Sequence, residues 1–119
     1  MVLYLSLLLQ LDIGRYHKQT SGECGDDLTW SFDTNTKKLT ISGSGKMDNY
    51  KFDSTAPWYS YRNSIISITI ENEVTSIGDY AFRDCSSLTS INIPGNVTSI
   101  GNQAFRYCSS LTSVNIPGN

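Results

Sequence analysis

The most reactive side chains of this 119-residue chain belong to three cysteines and one histidine. A nucleophilic cysteine or serine needs a base within hydrogen-bonding reach, and histidine is the usual partner. His17 lies in an apolar N-terminal segment, so no Cys-His or Ser-His-Asp arrangement can be built elsewhere in the sequence. Cys24, Cys85 and Cys108 have no Cys-x-x-Cys spacing, which argues against a zinc site. These residues predict no catalytic site.

The carboxylates are dispersed along the chain, and most fall in predicted turns. Asp26 with Asp27, and Asp48 with Asp53, could contact a calcium ion, but neither pair matches an EF-hand or a repeat-type calcium motif. The Gly-Ser-Gly stretch at 43–45 follows a predicted strand, yet it lacks the rest of a phosphate-binding loop. The sequence therefore predicts no enzyme, no metal site and no cofactor.

A repeat explains more of the sequence than any catalytic motif. Residues 74–96 read VTSIGDYAFRDCSSLTSINIPGN, and residues 97–119 read VTSIGNQAFRYCSSLTSVNIPGN. We call them the first and second repeats. The length of one copy, from Val74 to Asn96, lies in the range of leucine-rich repeats. The two copies differ only at Asp79/Asn102, Tyr80/Gln103, Asp84/Tyr107 and Ile91/Val114.

The second half of each repeat fits the leucine-rich strand template L-x-x-L-x-L-x-x-N. The template runs from Leu88 to Asn96, whose side chain is expected to bond backbone groups at the turn, and again from Leu111 to Asn119. One period earlier, the apolar spacing is kept by Ile65, Ile68 and Ile70. Small polar residues alternate with these apolar ones, and they form a candidate ligand face or simply keep an exposed sheet soluble. The candidate concave ligand face consists of Ser67, Thr69, Ser90, Asn92, Ser113 and Asn115.

The first half of each repeat predicts a tight turn that leads into a short helix. Gly78 and Gly101 are expected to permit the backbone of the turn. Phe82 and Cys85 are spaced to pack inward from one helical face. Cys108 takes the same repeat position as Cys85, so we expect core thiols or, alternatively, a disulfide between neighbouring repeats.

Residues 22–62 do not repeat and predict a cap over the first repeat. Alternating apolar residues on both sides of a turn at 34–37 predict a β-hairpin. A loop and a short helix follow, opening near Ser54 with Pro57 in its first turn. When the sequence is shifted by one period, the aromatic pair at 58–59 falls on Ala81 and Phe82. The aromatic residues expected to plug the end of the stack, rather than to form a ligand platform, are Trp30, Phe32, Trp58 and Tyr59.

Composition narrows the class of protein. A net charge of −2 and a pI near 5.1 argue against a nucleic-acid binder. The apolar run from Val2 to Leu11 has the length of a signal-peptide core and is too short to span a bilayer. No Lys or Arg precedes this run and no small-x-small cleavage site follows it. We interpret it as a remnant export signal, with a misassigned start or an added strand as alternatives.

The repeat VTSIG–AF–CSSLTS–IP closely resembles the BspA-like leucine-rich repeats, and GECGDDLTWSFD with APWYSYR looks like the N-terminal cap found ahead of them. The resemblance covers about residues 22–119. It implies a cell-surface or secreted protein that adheres to host extracellular matrix, host cells or other microbes. Members of the family usually carry many more repeats than this chain does.

The expected architecture is a β-rich α/β solenoid, a leucine-rich repeat with 23-residue rungs preceded by an N-terminal β-hairpin cap. We expect a fragment of a longer array that self-associates through its uncapped C-terminal rung, because the apolar cross-section there is left open. The predicted divisions are an apolar segment at 1–21, a cap at 22–62 and repeats at 63–119, with a half rung at 63–73 and full rungs at 74–96 and 97–119.

The predicted function is that of a non-catalytic binding module whose partner is a host matrix protein or a cell-surface glycoprotein. No nucleic acid, cofactor or transmembrane segment is expected. Two alternatives remain open, namely an intracellular protein–protein interaction scaffold and a repeat region attached to a missing downstream domain.

Overall fold

The computed structural model describes residues 19–115. The apolar N-terminal run, His17 and the template residues Ile116 and Asn119 lie outside the described residues. Within the described part are nine β-strands and a single turn of 3-10 helix at Tyr59–Tyr61. The strands are β1 (Ser21–Gly25), β2 (Leu28–Asp33), β3 (Lys38–Gly43), β4 (Gly45–Lys46), β5 (Ser67–Ile70), β6 (Val74–Ile77), β7 (Ser90–Asn92), β8 (Ser99–Ile100) and β9 (Ser113–Asn115).

The larger sheet has the strand order β1-β2-β3-β5-β7-β9. Strands β2 and β3 form the predicted antiparallel hairpin, and β1 pairs with the outer edge of β2. Strand β3 then pairs in parallel with β5, β5 with β7, and β7 with β9. Ser67 pairs with Ser90 and Ser90 with Ser113, so the partners lie one repeat period apart. Strand β3 therefore joins an antiparallel cap to a parallel array.

The side chain of Asp33, the last residue of β2, closes the turn of the hairpin. The Asp33 carboxylate accepts hydrogen bonds from the N–H groups of Asn35 (2.8 Å) and Thr36 (3.1 Å). These bonds to the charged form lower the pKa of Asp33. Lys37 adopts a left-handed backbone (φ 61°) and donates its N–H to the Asp33 carbonyl. The turn fixes the register in which the inward side chains of β2 and β3 meet.

A second sheet, which the sequence pattern did not predict, joins β4, β6 and β8 in parallel. Ser76 pairs with Ser99, which is the equivalent residue of the next repeat. Val74 and Ile77 are the buried ends of β6, and two half-buried residues separate them. Because this spacing is not a period-two alternation, it does not indicate a strand from sequence alone.

The turn that follows β6 is not the predicted short helix. The N–H groups of Tyr80, Phe82 and Asp84 point to the next repeat, where they bond the carbonyls of residues 102, 104 and 106 at 2.8–2.9 Å. Tyr80 and Asp84 have left-handed backbones (φ 59° and 65°), which an α-helix does not admit. These three backbone donors are thus satisfied between repeats rather than along one helix.

The cap completes the hydrogen bonding of the first of these turns. The Asp79 carbonyl accepts the N–H of Tyr50 at 3.0 Å. The Ala81 carbonyl accepts the indole Nε1–H of Trp58 at 2.8 Å, and this bond is buried. The Trp58 side chain therefore takes the place of the backbone donor that a preceding repeat would supply.

Aromatic rings fill the core beneath these turns. Trp30 lies edge-on to Trp58 with ring centroids 5.9 Å apart, Trp58 stacks on Phe82 at 5.6 Å, and Phe82 contacts Phe105 at 5.6 Å. Burial of the two tryptophans and of Phe32 confirms the predicted plug for these three side chains.

The predicted place of Tyr59 in the plug is wrong. Tyr61 is buried instead and stacks on Phe32, with ring centroids 4.5 Å apart, while Tyr59 is half-buried. A shift of one repeat period aligns Trp58 with Ala81, but the ring of Trp58 stacks on Phe82. The two stacked rings are therefore separated in sequence by one residue more than the repeat period. The predicted short helix of the cap is only one 3-10 turn, long enough to turn Trp58 and Tyr61 inward.

Gly78 and Gly101 are required for close approach rather than for the conformational freedom expected from the sequence. The left-handed φ values occur instead at four non-glycine residues of the two turns. A Cβ at Gly78 would overlap the carbonyl oxygen of Asp48, and one at Gly101 would overlap the backbone nitrogen of Asp79. Only a hydrogen fits where each repeat touches the layer before it.

All three cysteines are free thiols, so the predicted alternative of a disulfide between Cys85 and Cys108 is wrong. Cys24 and Cys85 are buried in the core. Burial is the main reason that the pKa of Cys24 is raised to about 12 and the pKa of Cys85 is raised as well. Cys108 is half-buried, and its thiol donates to the Phe82 carbonyl at 3.1 Å. Protonated, buried thiols are poor nucleophiles.

Replacing Gly78 with alanine should lower the free energy of unfolding by about 1–3 kcal/mol, the usual cost of forcing extra volume into a packed site. Gly95→Ala is the matched control, because no atom lies within 4 Å of a Cβ built there, and it should change stability by less than about 0.5 kcal/mol. Urea unfolding curves of the two variants measure the difference. Equal effects would contradict the close-approach argument.

Unfolding free energy should fall as the pH rises above about 9. The pKa of Cys24 is higher in the folded chain than its ordinary value of 9.0, so the folded state keeps a proton that the unfolded state loses. The associated stabilisation is complete below pH 9 and is lost as the pH approaches 12. Urea unfolding at about pH 7.5 and about pH 10.5 tests this dependence, and Cys24→Ala should show a smaller loss between the two.

Candidate functional site

The predicted ligand face lies on the solvent side of the larger sheet. Its side chains alternate with buried isoleucines, as the period of a strand requires. Ser67 is half-buried, and the exposed members are Thr69, Ser90, Asn92 and Ser113. Asn115 pairs with Asn92 across β7 and β9. We call this surface the sheet face.

The sheet face continues onto the cap, which the sequence analysis did not anticipate. Lys38 pairs with Ser67 and with Asp33, and Thr40 pairs with Thr69 and with Ser31. One row of outward positions therefore crosses the sheet through Asp33, Lys38, Ser67, Ser90 and Ser113. Opposite charges mark its cap end, and hydroxyl groups make up the rest.

A shallow hollow of about 260 Å³ opens where the strands of this sheet end. Thr69 and Asn92 contribute polar groups from the sheet face, and Asn72 and Pro94 close the hollow from the turns that follow. The Asn96 side chain holds one of these turns in place by donating its Nδ2–H to the Asn72 carbonyl at 2.6 Å, which confirms the role predicted for it. The hollow gives the sheet face a rim with both apolar and polar lining.

A second group of side chains lies at the turns, away from the sheet face. We call it the arginine–aromatic edge, and it consists of Phe52, Tyr59, Tyr80, Arg83, Arg106 and Tyr107. The Arg83 guanidinium carbon lies 4.5 Å from the ring centroid of Phe52, 5.0 Å from Tyr59 and 5.6 Å from Tyr80. In the second repeat, the Arg106 guanidinium lies 4.6 Å above the ring of Tyr107. A positively charged guanidinium is attracted to the face of an aromatic ring, so these contacts stabilise the stacked arrangement.

Arg83 is the buried centre of this edge, with a residue exposure of only 5%. It donates to the Phe52 carbonyl at 3.2 Å and lies 3.4 Å from the Asp84 carboxylate. Tyr59 donates its hydroxyl to the same carboxylate at 2.5 Å, and this bond raises the pKa of Tyr59. The Nε of Arg83 is buried and has no hydrogen-bond partner in the described part of the chain.

Sequence reasoning did not single out these edge residues, although a signal was present. Three of the four differences between the two repeats fall at Asp79/Asn102, Tyr80/Gln103 and Asp84/Tyr107, all in this turn. The fourth difference, Ile91/Val114, lies in the strands at an inward position of the pattern. Variation between otherwise matching copies is therefore concentrated at the turns, close to Arg83 and Arg106.

The carboxylates considered for calcium are partly brought together. Asp26, Asp27 and Asp48 line a hollow of about 260 Å³ in the cap, and Asp53 is not part of its lining. Among residues 19–115, no group of three or more His, Cys, Asp or Glu side chains is arranged to hold a metal ion. In the same described range, no helix is long and apolar enough to cross a membrane.

Comparison with known proteins agrees with this architecture. A search of solved structures found a leucine-rich repeat protein from Eubacterium ventriosum that is 30% identical, with a TM-score of 0.73 over 81% of this chain and 25% of that one. The present chain therefore spans about a quarter of that protein. A search of curated proteins found no match.

A family model for the BspA-type leucine-rich repeat region matches residues 53–119. The matched region begins in the cap loop before the 3-10 turn and includes the two repeats. Because this match spans more than half of the sequence, the chain belongs to the BspA-type leucine-rich repeat family.

Proposed function

We propose that this chain is a non-catalytic protein-binding segment of a cell-surface or secreted protein that attaches to host matrix or host cells. Its repeats form a solenoid of 23-residue rungs behind the β-hairpin cap, and the sheet face contacts the ligand. The observation that carries the proposal is the unbroken row of outward polar side chains from β2 to β9. Membership of a leucine-rich repeat family supports a binding role, because stacked repeats create extended binding surfaces.

The chemistry of the sheet face suits many weak contacts. Serine, threonine and asparagine side chains donate and accept single hydrogen bonds, and each bond contributes only about 0.5–1.5 kcal/mol net. Successive repeats present the same groups, as at Ser67, Ser90 and Ser113. A ligand with repeated polar groups would gain affinity by binding several rungs at once, since linked weak contacts produce avidity.

Substituting the sheet face should weaken attachment. We expect Ser90→Lys combined with Asn92→Lys to reduce binding to immobilised collagen, laminin or fibronectin by about tenfold or more, the effect of losing roughly 1.4 kcal/mol. The full chain would be displayed on beads so that avidity is retained. Thr98→Lys combined with Ser109→Lys adds the same charge at exposed sites away from the face and is the control. Equal loss in both variants would exclude the sheet face as the contact surface.

The location of the protein separates this proposal from its main alternative, an intracellular interaction scaffold. We expect an antibody raised against residues 22–62 to detect a band on intact source cells that external protease removes. A protected band would contradict a surface role and favour the scaffold. A band well above 13.2 kDa is expected both for a longer array of repeats and for repeats attached to a further domain, and the sequence beyond Asn119 distinguishes these two. Self-association through the last rung stays a prediction.

A further inference from the structure

We propose that the arginine–aromatic edge is a second binding surface, which takes an acidic segment of a partner protein. The edge lies at the turns and shares no residue with the sheet face, so neither proposal depends on the other. The partner is recognised by its carboxylates, which pair with guanidinium groups, and by side chains that pack on the exposed rings.

The residue types of the edge are those that form the centres of protein–protein interfaces. Aromatic residues and arginine are enriched there, whereas serine is depleted. Phe52 and Tyr107 are large apolar side chains that are 67% and 62% exposed. Both rings are held by a guanidinium that stacks against them, Arg83 for Phe52 and Arg106 for Tyr107. A rigid, exposed ring costs little conformational entropy on binding.

The two arginines of the edge differ in their partners, because Arg83 lies against the Asp84 carboxylate whereas Arg106 does not. In the part of the chain that the structure describes, Arg106 bonds the Gln103 amide oxygen and the Tyr107 hydroxyl and has no carboxylate within 4 Å. Arg62 borders the edge, because it stacks on Tyr59, and it likewise contacts a backbone carbonyl and no carboxylate among the described residues. Planar guanidinium groups match carboxylates in geometry as well as in charge. The guanidinium groups of Arg62 and Arg106, which have no carboxylate partner among the described residues, are complementary to the carboxylates of an acidic segment.

Tyr107 marks a difference between the two repeats within the edge. The same turn position in the first repeat holds Asp84, and both residues have left-handed backbones, with φ values of 65° and 61°. Aspartate tolerates this conformation, whereas a bulky aromatic residue there is unusual. Asp84 also has a structural partner, since it accepts the Tyr59 hydroxyl. Tyr107 instead accepts a hydrogen bond from Arg106 of its own turn, and the same guanidinium stacks on its ring.

The direct test is an NMR titration of the full, uniformly ¹⁵N-labelled chain with a short synthetic peptide of glutamates that flank a central tyrosine. A matched peptide with glutamine in place of every glutamate is the chemical control. We expect amide shifts in residues 50–62, 80–84 and 103–107 with the glutamate peptide, little response to the glutamine peptide, and weaker binding as salt is added. Equal binding of both peptides, shifts confined to β5 and β7, or no shifts would overturn the proposal.

Two variants test the edge itself. Tyr107→Asp introduces the residue that the first repeat has at this position, so the variant should fold normally. It should nevertheless weaken binding of the glutamate peptide by about tenfold, the effect of losing one contact of roughly 1.4 kcal/mol. Arg106→Gln should weaken binding of the glutamate peptide to a similar extent. Asn92→Thr gives the sheet face of the first repeat the residue that Thr69 supplies one period earlier, and this variant should leave the affinity for the peptide unchanged. Full affinity in both edge variants would contradict the proposal, as would binding of a sulfated polysaccharide at this edge in place of the peptide.

Discussion

Hydrogen bonding between successive repeats is the interaction on which the rest of this structure depends. A repeat of this length forms neither a helix nor a hairpin of its own, so many of its buried backbone groups find their partners in the layers before and after it. Three tracks supply those partners, namely the strands of the larger sheet, the strands of the smaller sheet and the turns after β6. Side chains adapt to this stacking. Glycine stands where the layers touch, and left-handed backbones aim the turn donors along the stack.

The cap shows how a stack of this kind can begin. Strand β3 offers a parallel edge to β5, and the antiparallel strands β2 and β1 cover the opposite edge of β3. Beneath the sheet, Trp30 and Trp58 occupy the core at the level where a further repeat would place its own aromatic ring. The cap thus matches the repeats in both hydrogen bonding and volume, although its sequence shares almost nothing with theirs.

Sequence periodicity was informative wherever burial alone decides the pattern. The alternation in β2 and β3 and the isoleucine spacing at residues 65–70 predicted the hairpin, the strands and their inward faces. The periodicity was uninformative where contacts between layers determine the backbone conformation. Nothing in the types of Tyr80 or Gln103 indicates a left-handed backbone. Trp58 stacks on Phe82, whereas the repeat period aligns it with the preceding residue, Ala81. The outward residues of the sheet face followed from the template, whereas the arginine–aromatic edge required the turns to be placed first.

The pattern of donors in the turns gives the stack a polarity. The N–H groups of Tyr80, Phe82 and Asp84 all point onward. The carbonyls of Asp79 and Ala81 point back, where the cap meets them with the Tyr50 amide and the Trp58 indole. At these turn positions an N-terminal cap must therefore present donors, while a segment that closes the opposite end must present acceptors, such as free carbonyls or carboxylates. The two ends of such a protein are chemically non-interchangeable. A copy of this cap grafted after the final turn would set donor against donor, and its tryptophan would have no oxygen to bind.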